Sequence, residues 1–105
     1  MDNSHNSNIN LNEFLKQNTE GDILLIFTAA WLSQSSIVDI VSQKIQLALP
    51  ELKVKLLDVE HNEDLISRFY IQKLPSAVII KKGLIKGKIT GTLLKKNVID
   101  AYHSE

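Results

Sequence analysis

Residues 23–31 read ILLIFTAAW, five large apolar residues followed by Thr-Ala-Ala and the only tryptophan of the chain. An unbroken apolar run of this length is typical of a strand that is buried on both faces. Such a strand needs a layer of helices on either side of its sheet. The stretch therefore predicts a central strand that leads into a loop at Trp31.

The periodicity of apolar residues predicts further regular elements on both sides of that strand. Helices are expected to begin near Asn10, Ser36, Asn62 and Lys95. The further strands are expected at Val54–Val59, Ala77–Ile80 and Leu84–Thr90. In the helix after Trp31, apolar residues recur at helical spacing and predict a buried stripe of Ile37, Ile40, Val41, Ile45 and Ala48.

The order of these elements predicts the topology. A helix separates the first two strands, so they should pair in parallel with a right-handed crossover. The turn Lys82–Gly83 separates the last two strands, so they should form an antiparallel hairpin. The prediction is an α/β domain in which a mixed sheet of four strands, or five, lies between helices. Residues 9–105 would form this one domain, and the Asn- and Ser-rich residues 1–8 a flexible tail.

The composition excludes several classes of protein. Among 105 residues there are 12 basic and 12 acidic ones, and a net charge of zero argues against a nucleic-acid partner. The sequence has no cysteine, so disulfide exchange and thiolate metal sites are excluded. We recognise no signal peptide and no stretch long enough to span a membrane. We therefore expect a cytoplasmic protein with no membrane partner, metal or cofactor.

Several short segments make the chain resemble the thioredoxin family. They are Phe27–Trp31 before the loop, Leu74-Pro75-Ser76 before the third strand, Lys82–Gly83 at the hairpin, and Gly91 before the last helix. The likeness extends over about residues 10–102, nearly the whole chain. It implies the thioredoxin-like fold, a three-layer α/β/α sandwich around a mixed sheet.

The chain departs from this family where the family carries its chemistry. In the family the loop reads Trp-Cys-Gly-Pro-Cys, whereas here Leu32 and Ser35 stand at the cysteine positions and Ser33-Gln34 at Gly-Pro. The family also buries an acidic residue in the first central strand and often places a lysine beside it; Ile26 and Leu56 stand there. The resemblance thus implies a redox-inactive member, not an enzyme, and any role in redox homeostasis would rest on similarity alone.

The resemblance also implies a peptide-binding groove between Trp31 and Leu74-Pro75-Ser76. In the family this proline follows a cis peptide bond that turns the preceding backbone toward the loop, where an extended peptide can pair as an added strand. Trp31 is expected to lie half exposed beside the groove. The family's glycines near Tyr70 and Lys73 are missing, so we expect a differently shaped approach to Pro75. The alternative is that Pro75 only shapes its turn and Trp31 only props the loop.

A second interpretation concerns the helix that the loop precedes. A helix N-terminus at Ser33–Ser35 favours an anion, and glutathione could dock there. The simpler alternative is that Ser35 caps the helix, or that Ser36 does so in a capping box with Asp39. A nucleophilic serine would need a base nearby. The three histidines are expected away from the loop: His5, His61 and His103.

The last hairpin is basic. Residues 81–96 contain six lysines and no acidic residue. They could contact an anionic partner, but lysines on an edge strand also prevent association between sheets, and this second interpretation is preferred.

The sequence therefore favours a redox-inactive, protein-binding adaptor or chaperone-type module that holds an extended segment of another protein. Two alternatives stay open. One is a glutathione-binding or transferase-like enzyme that uses Ser33 or Ser35. The other is a structural homodimer formed through Trp31–Leu32.

Overall fold

The computed structural model describes residues 21–91 and 93–104. Its strands are β1 (Asp22–Thr28), β2 (Leu52–Asp58), β3 (Ser76–Lys81) and β4 (Leu84–Thr90). Its helices are α1 (Ser35–Ala48), α2 (Glu63–Arg68) and α3 (Lys95–His103), with a 3-10 helix at Val59–His61. The helix expected near Asn10 and the tail at residues 1–8 lie outside the described residues.

The four described strands form one mixed sheet in the order β2-β1-β3-β4. Strand β1 pairs in parallel with β2 and antiparallel with β3, and β3 pairs antiparallel with β4. The predicted parallel pairing of the first two strands and the predicted antiparallel hairpin are therefore confirmed. The ladder between β3 and β4 shifts register at Ile79/Ile80, which marks a β-bulge.

The residues of β1 alternate between two apolar clusters on opposite faces of the sheet. Leu24 and Ile26 contact the cluster under α1 and α3, whereas Ile23, Leu25 and Phe27 contact the cluster that includes α2. All five side chains are at most 1% exposed. The continuous apolar run is explained by this burial on both faces, and the predicted three-layer α/β fold is confirmed.

The buried face of α1 differs from the predicted stripe. Val38, Ser42 and Ile45 face the core, while Ile37 and Ile40 are more than half exposed. Apolar residues lie on more than one side of this helix, so periodicity could not select the buried side. Ser42 is accommodated in the core because its hydroxyl donates a hydrogen bond of 2.7 Å to the Asp39 carbonyl.

The pairing register places the ends of four segments at one edge of the sheet. Thr28 lies opposite Asp58, and Ser76 lies between Phe27 and Thr90. The loop after β1 and the turn before β3 therefore leave the sheet side by side. Across the described residues, no helix combines the length and the apolar character that crossing a membrane requires.

Candidate functional site

The loop between β1 and α1 consists of two consecutive turns. The Leu32 N–H donates to the Ala29 carbonyl over 3.1 Å, and the Ser35 N–H donates to the Leu32 carbonyl over 3.0 Å. Both are the i to i+3 bonds of tight turns. Leu32 and Ser35 are half-buried by this arrangement, while Ser33 and Gln34 are exposed.

Trp31 is the most prominent side chain of the loop. It is 64% exposed, so most of this residue faces solvent. Large aromatic side chains with this exposure are typical of contact surfaces. The structure thus exposes a large apolar side chain at the loop.

The start of α1 differs from the predicted cap. Gln34 occupies the N-cap position, and its side chain makes no capping hydrogen bond. The expectation that Ser35 or Ser36 caps the helix is therefore wrong, because both residues already belong to the helix. Both serines line a cleft beside the helix.

The turn at Leu74-Pro75-Ser76 is built rigidly into the sheet edge. The Leu74–Pro75 peptide bond is cis, Pro75 is buried, and Ser76 is 0% exposed. The Ser76 hydroxyl donates to the Lys73 carbonyl, and strand pairing of β3 begins only at Ser76. Leu74 is half-buried, and its backbone lies outside the described ladders. Pro75 and Ser76 are therefore fixed at the start of β3, while Leu74 packs partly against the apolar cluster that includes α2.

The approach to this turn shows how the chain compensates for a missing glycine. Tyr70 has a φ of 55°, in the left-handed region that glycine adopts most easily. Its side chain is 76% exposed. The Lys88 ammonium donates to the carbonyls of Phe69 and Tyr70 over 3.0 and 3.2 Å, which fixes the chain after α2. The backbone can therefore turn here without glycine.

Beneath the loop, the positions of the family's buried charges are apolar. Ile26 and Leu56 lie opposite each other in the β1–β2 ladder. Ile26 is 0% exposed and Leu56 is 37% exposed. No ionisable group is present at these positions to move a proton toward the loop, which matches the absence of thiols above them.

A cleft with a volume of about 400 Å³ opens beside the loop. Its lining combines polar and apolar groups from the end of β1, the first turns of α1 and the end of β2: Thr28, Ala29, Ala30, Ser35, Ser36, Asp39 and Asp58. The Thr28 Oγ1 atom is buried and has no hydrogen-bond partner among the described residues. Sequence reasoning singled out Ser35 but did not place Asp39 and Asp58 beside it, because the two carboxylates come from separate elements.

The chemistry of this edge is limited by its residues. With no cysteine in the chain, no thiolate is available for disulfide exchange. Two carboxylates beside the α1 N-terminus also oppose an anionic ligand such as glutathione. Within residues 21–91 and 93–104, no group of three or more His, Cys, Asp or Glu side chains could hold a metal ion.

The position of His61 differs from the expectation in one respect. The 3-10 helix Val59–His61 directly follows Asp58, so His61 leaves the same edge of the sheet as the loop. The imidazole is exposed, and no described hydrogen bond joins it to Ser33 or Ser35. The described geometry thus holds no serine–histidine pair of the kind that activates a nucleophile.

A comparison with protein families assigns the chain. The thioredoxin family model matches residues 3–104. The chain belongs to the thioredoxin family. As a family member without cysteine, it lacks the groups that thiol–disulfide oxidoreductase activity requires. No curated protein matches the sequence.

Solved structures of thioredoxins share the fold. Fasciola hepatica thioredoxin is 20% identical, with a TM-score of 0.78 over 90% of this chain and 91% of that one. Thioredoxin from Trypanosoma brucei brucei is also 20% identical, with a TM-score of 0.76 over 90% and 88%. Oxidized mitochondrial thioredoxin 3 from Saccharomyces cerevisiae is 25% identical, with a TM-score of 0.74 over 86% and 85%. These likenesses support the thioredoxin fold of the chain.

Proposed function

We propose that this thioredoxin-family chain is a non-catalytic module that binds an extended segment of another protein. The segment would lie across Trp31 and Leu74, at the edge where a thioredoxin carries its cysteines. The observation that carries the proposal is the 64% exposure of Trp31 in a chain without cysteine. An exposed tryptophan that no redox chemistry requires is best explained as a binding residue.

The backbone next to Leu74 supports the same proposal. Because β3 pairing begins at Ser76, the peptide groups before Pro75 can pair with an added strand. The buried Pro75 and Ser76 hold this segment in one conformation, which lowers the entropy lost when a partner binds. An adaptor or chaperone-type role requires only this reversible contact. We propose the cytoplasm as its compartment, since the chain carries none of the disulfides that are typical of small secreted domains.

The test is affinity capture from an extract of the source cells with three forms of the chain. These are the native chain, a Trp31→Ala variant and a Leu47→Ala variant. Leu47 is 82% exposed and lies near the far end of α1, so it controls for loss of any exposed apolar side chain. Both variants should fold, because exposed substitutions change stability by about 0.5 kcal/mol or less.

We expect a partner that the native and Leu47→Ala chains retain and the Trp31→Ala chain loses. The interaction is then measured again with the purified partner. Equal retention by all three chains would contradict the proposal and direct attention to the lysine-rich hairpin. Sedimentation velocity of the native chain tests the homodimer alternative, which requires a mass that rises with concentration.

A further inference from the structure

The charged groups at the binding edge are not evenly distributed. The strand order places Asp58 at the end of β2 on one side, and β1 with its loop to Trp31 lies next to it. On the other side, β4 ends at Thr90, and the chain then enters α3 through Lys95 and Lys96. Three strand spacings of about 4.8 Å separate the two sides, so a short extended segment can span them.

The acidic side is concave. Asp39 and Asp58 line the cleft of about 400 Å³, and Ala29 and Ala30 connect it to Trp31 along the chain. Asp58 is held in place, because its Oδ1 accepts the Glu60 N–H over 2.8 Å. No hydrogen bond or ion pair to the Asp39 carboxylate occurs among the described residues. The cleft therefore offers carboxylate oxygens that are not all used within the domain.

The Thr28 hydroxyl adds an independent feature. Thr28 is one of the residues that line the cleft, and its buried Oγ1 atom has no hydrogen-bond partner among the described residues. Buried hydroxyl groups are nearly always paired, because leaving one unpaired costs about 1 to 3 kcal/mol. A cationic N–H donor that entered the cleft could be bound by the carboxylates, in a lining where the fold itself leaves the Thr28 hydroxyl unpaired.

The electrostatics of the cleft select a cation. The N-terminus of α1 contributes roughly half a positive charge, which two carboxylates exceed. On the opposite side, the first turn of α3 carries Lys95 and Lys96 and no acidic residue, so a cation is repelled there. The two sides together fix which end of a charged segment lies against β2.

We propose that the segment bound at this edge carries a lysine or arginine next to an apolar residue. The apolar residue covers Trp31, and the basic side chain enters the cleft between Asp39 and Asp58. This inference rests on the proposed function, since it specifies the chemistry of the partner that the same edge binds.

In the test, random octapeptides displayed on phage are selected for binding to the full chain and, in parallel, to an Asp39→Asn/Asp58→Asn variant. Asparagine keeps the side-chain acceptor for the Glu60 N–H, so the turn after β2 is preserved. An Asp64→Asn/Asp100→Asn variant removes the same charge from exposed positions on α2 and α3. Circular dichroism confirms that all three chains are folded.

The affinity of a selected peptide is then measured directly. The peptide and its Lys→Gln or Arg→Gln analogue are titrated against each chain, with the fluorescence of Trp31, the single tryptophan, as the signal. We expect enrichment of a basic residue at a fixed distance from an apolar one. The analogue and the Asp39→Asn/Asp58→Asn variant should each weaken binding by about three- to tenfold, with a strong salt dependence. The control variant should bind like the native chain.

Two results would overturn the inference and are distinguishable. Peptides that change the Trp31 fluorescence but show no basic preference would refute the cation site and leave the proposed binding function intact. If no selected peptide changes the Trp31 fluorescence, the proposed function fails and the inference fails with it.

Discussion

Tyr102, near the end of the chain, donates a hydrogen bond of 2.5 Å to Asp22 at the start of β1. The Lys81 ammonium lies 4.8 Å from the centroid of the same phenol ring. The contact joins α3 to the central strand across 80 positions in the sequence. It lies at the end of β1 opposite the binding edge, so it stabilises the fold without touching the site.

Replacing Tyr102 with Phe tests the contribution of this hydrogen bond. The ring is 5% exposed and its packing is retained, so only the hydroxyl contact is lost. We expect the free energy of unfolding to fall by about 1 to 3 kcal/mol, the usual range for a hydrogen bond to a charged group. Urea denaturation measures the change. Asp22→Asn, which keeps an acceptor, should cost less, and an equal or larger cost would contradict this assignment.

The same contact predicts how stability changes in alkaline solution. Burial and the Asp22 carboxylate raise the pKa of Tyr102 from 10.0 to about 12. Below pH 10 the phenol is protonated in both the folded and unfolded chain, and its stabilising contribution is complete. Between pH 10 and 12 only the unfolded chain releases the proton, so the contribution is lost as the pH rises.

The measurement compares the native chain with Tyr102→Phe by urea denaturation across this pH range. We expect the stability advantage of the native chain to shrink steadily above pH 10. The difference in phenolate absorbance between the two chains should show a titration near pH 12. A titration at the ordinary tyrosine pKa would refute the buried contact.

The hydrogen bonds of the Gln46 side chain lead to a second prediction about stability, at strand β2. Its amide nitrogen donates to the carbonyls of Leu49 and Leu52, and its Oε1 accepts the Val54 N–H over 3.2 Å. A Gln46→Leu variant leaves these groups without partners. We expect a loss of about 1 to 3 kcal/mol in unfolding free energy. Gln43→Leu, an exposed change on the same helix, is the control and should leave the free energy nearly unchanged.

The positive φ of Tyr70 leads to a prediction in which backbone conformation alone changes the stability. At a φ of 55°, alanine retains the left-handed strain, whereas glycine relieves it. We expect the Tyr70→Gly chain to be more stable than the Tyr70→Ala chain by about 1 kcal/mol. Gly83→Ala provides the reverse control: its φ is +83° with no atom near a new Cβ, so the change should destabilise. Equal stability of the two Tyr70 variants would show that the turn relaxes.

At the position of Ile26, we expect that the buried acidic residue of the family can no longer be accommodated. The side chain is 0% exposed in the cluster under α1. Ile26→Asp should therefore cost about 3 kcal/mol or more, because it buries a carboxyl group without a partner. Ile26→Val, the control, should cost about 1 kcal/mol. Thermal and urea denaturation compare the variants.

A second variant supplies a charged partner for the introduced carboxyl group. Adding Leu56→Lys to Ile26→Asp places a lysine opposite the acid in the ladder, and part of the stability should return. A double variant as unstable as Ile26→Asp alone would show that the two positions do not interact.

Local sequence patterns determined much of this protein. The apolar run at residues 23–27 requires burial on both faces, so it predicted the central strand and the helices around it. The short Lys82–Gly83 turn left only an antiparallel hairpin between β3 and β4. The loss of thiol chemistry needed no structure, since it follows from the absence of cysteine.

Only the tertiary structure decided which side of α1 is buried and what surrounds the loop. Ile37 and Ile40 fit helical periodicity as well as Val38 and Ile45 do, and packing against the sheet selects between them. The cleft depends on the strand register that places Asp58 opposite Thr28. Contacts between residues so far apart depend on how whole elements pack, and no local pattern encodes that packing.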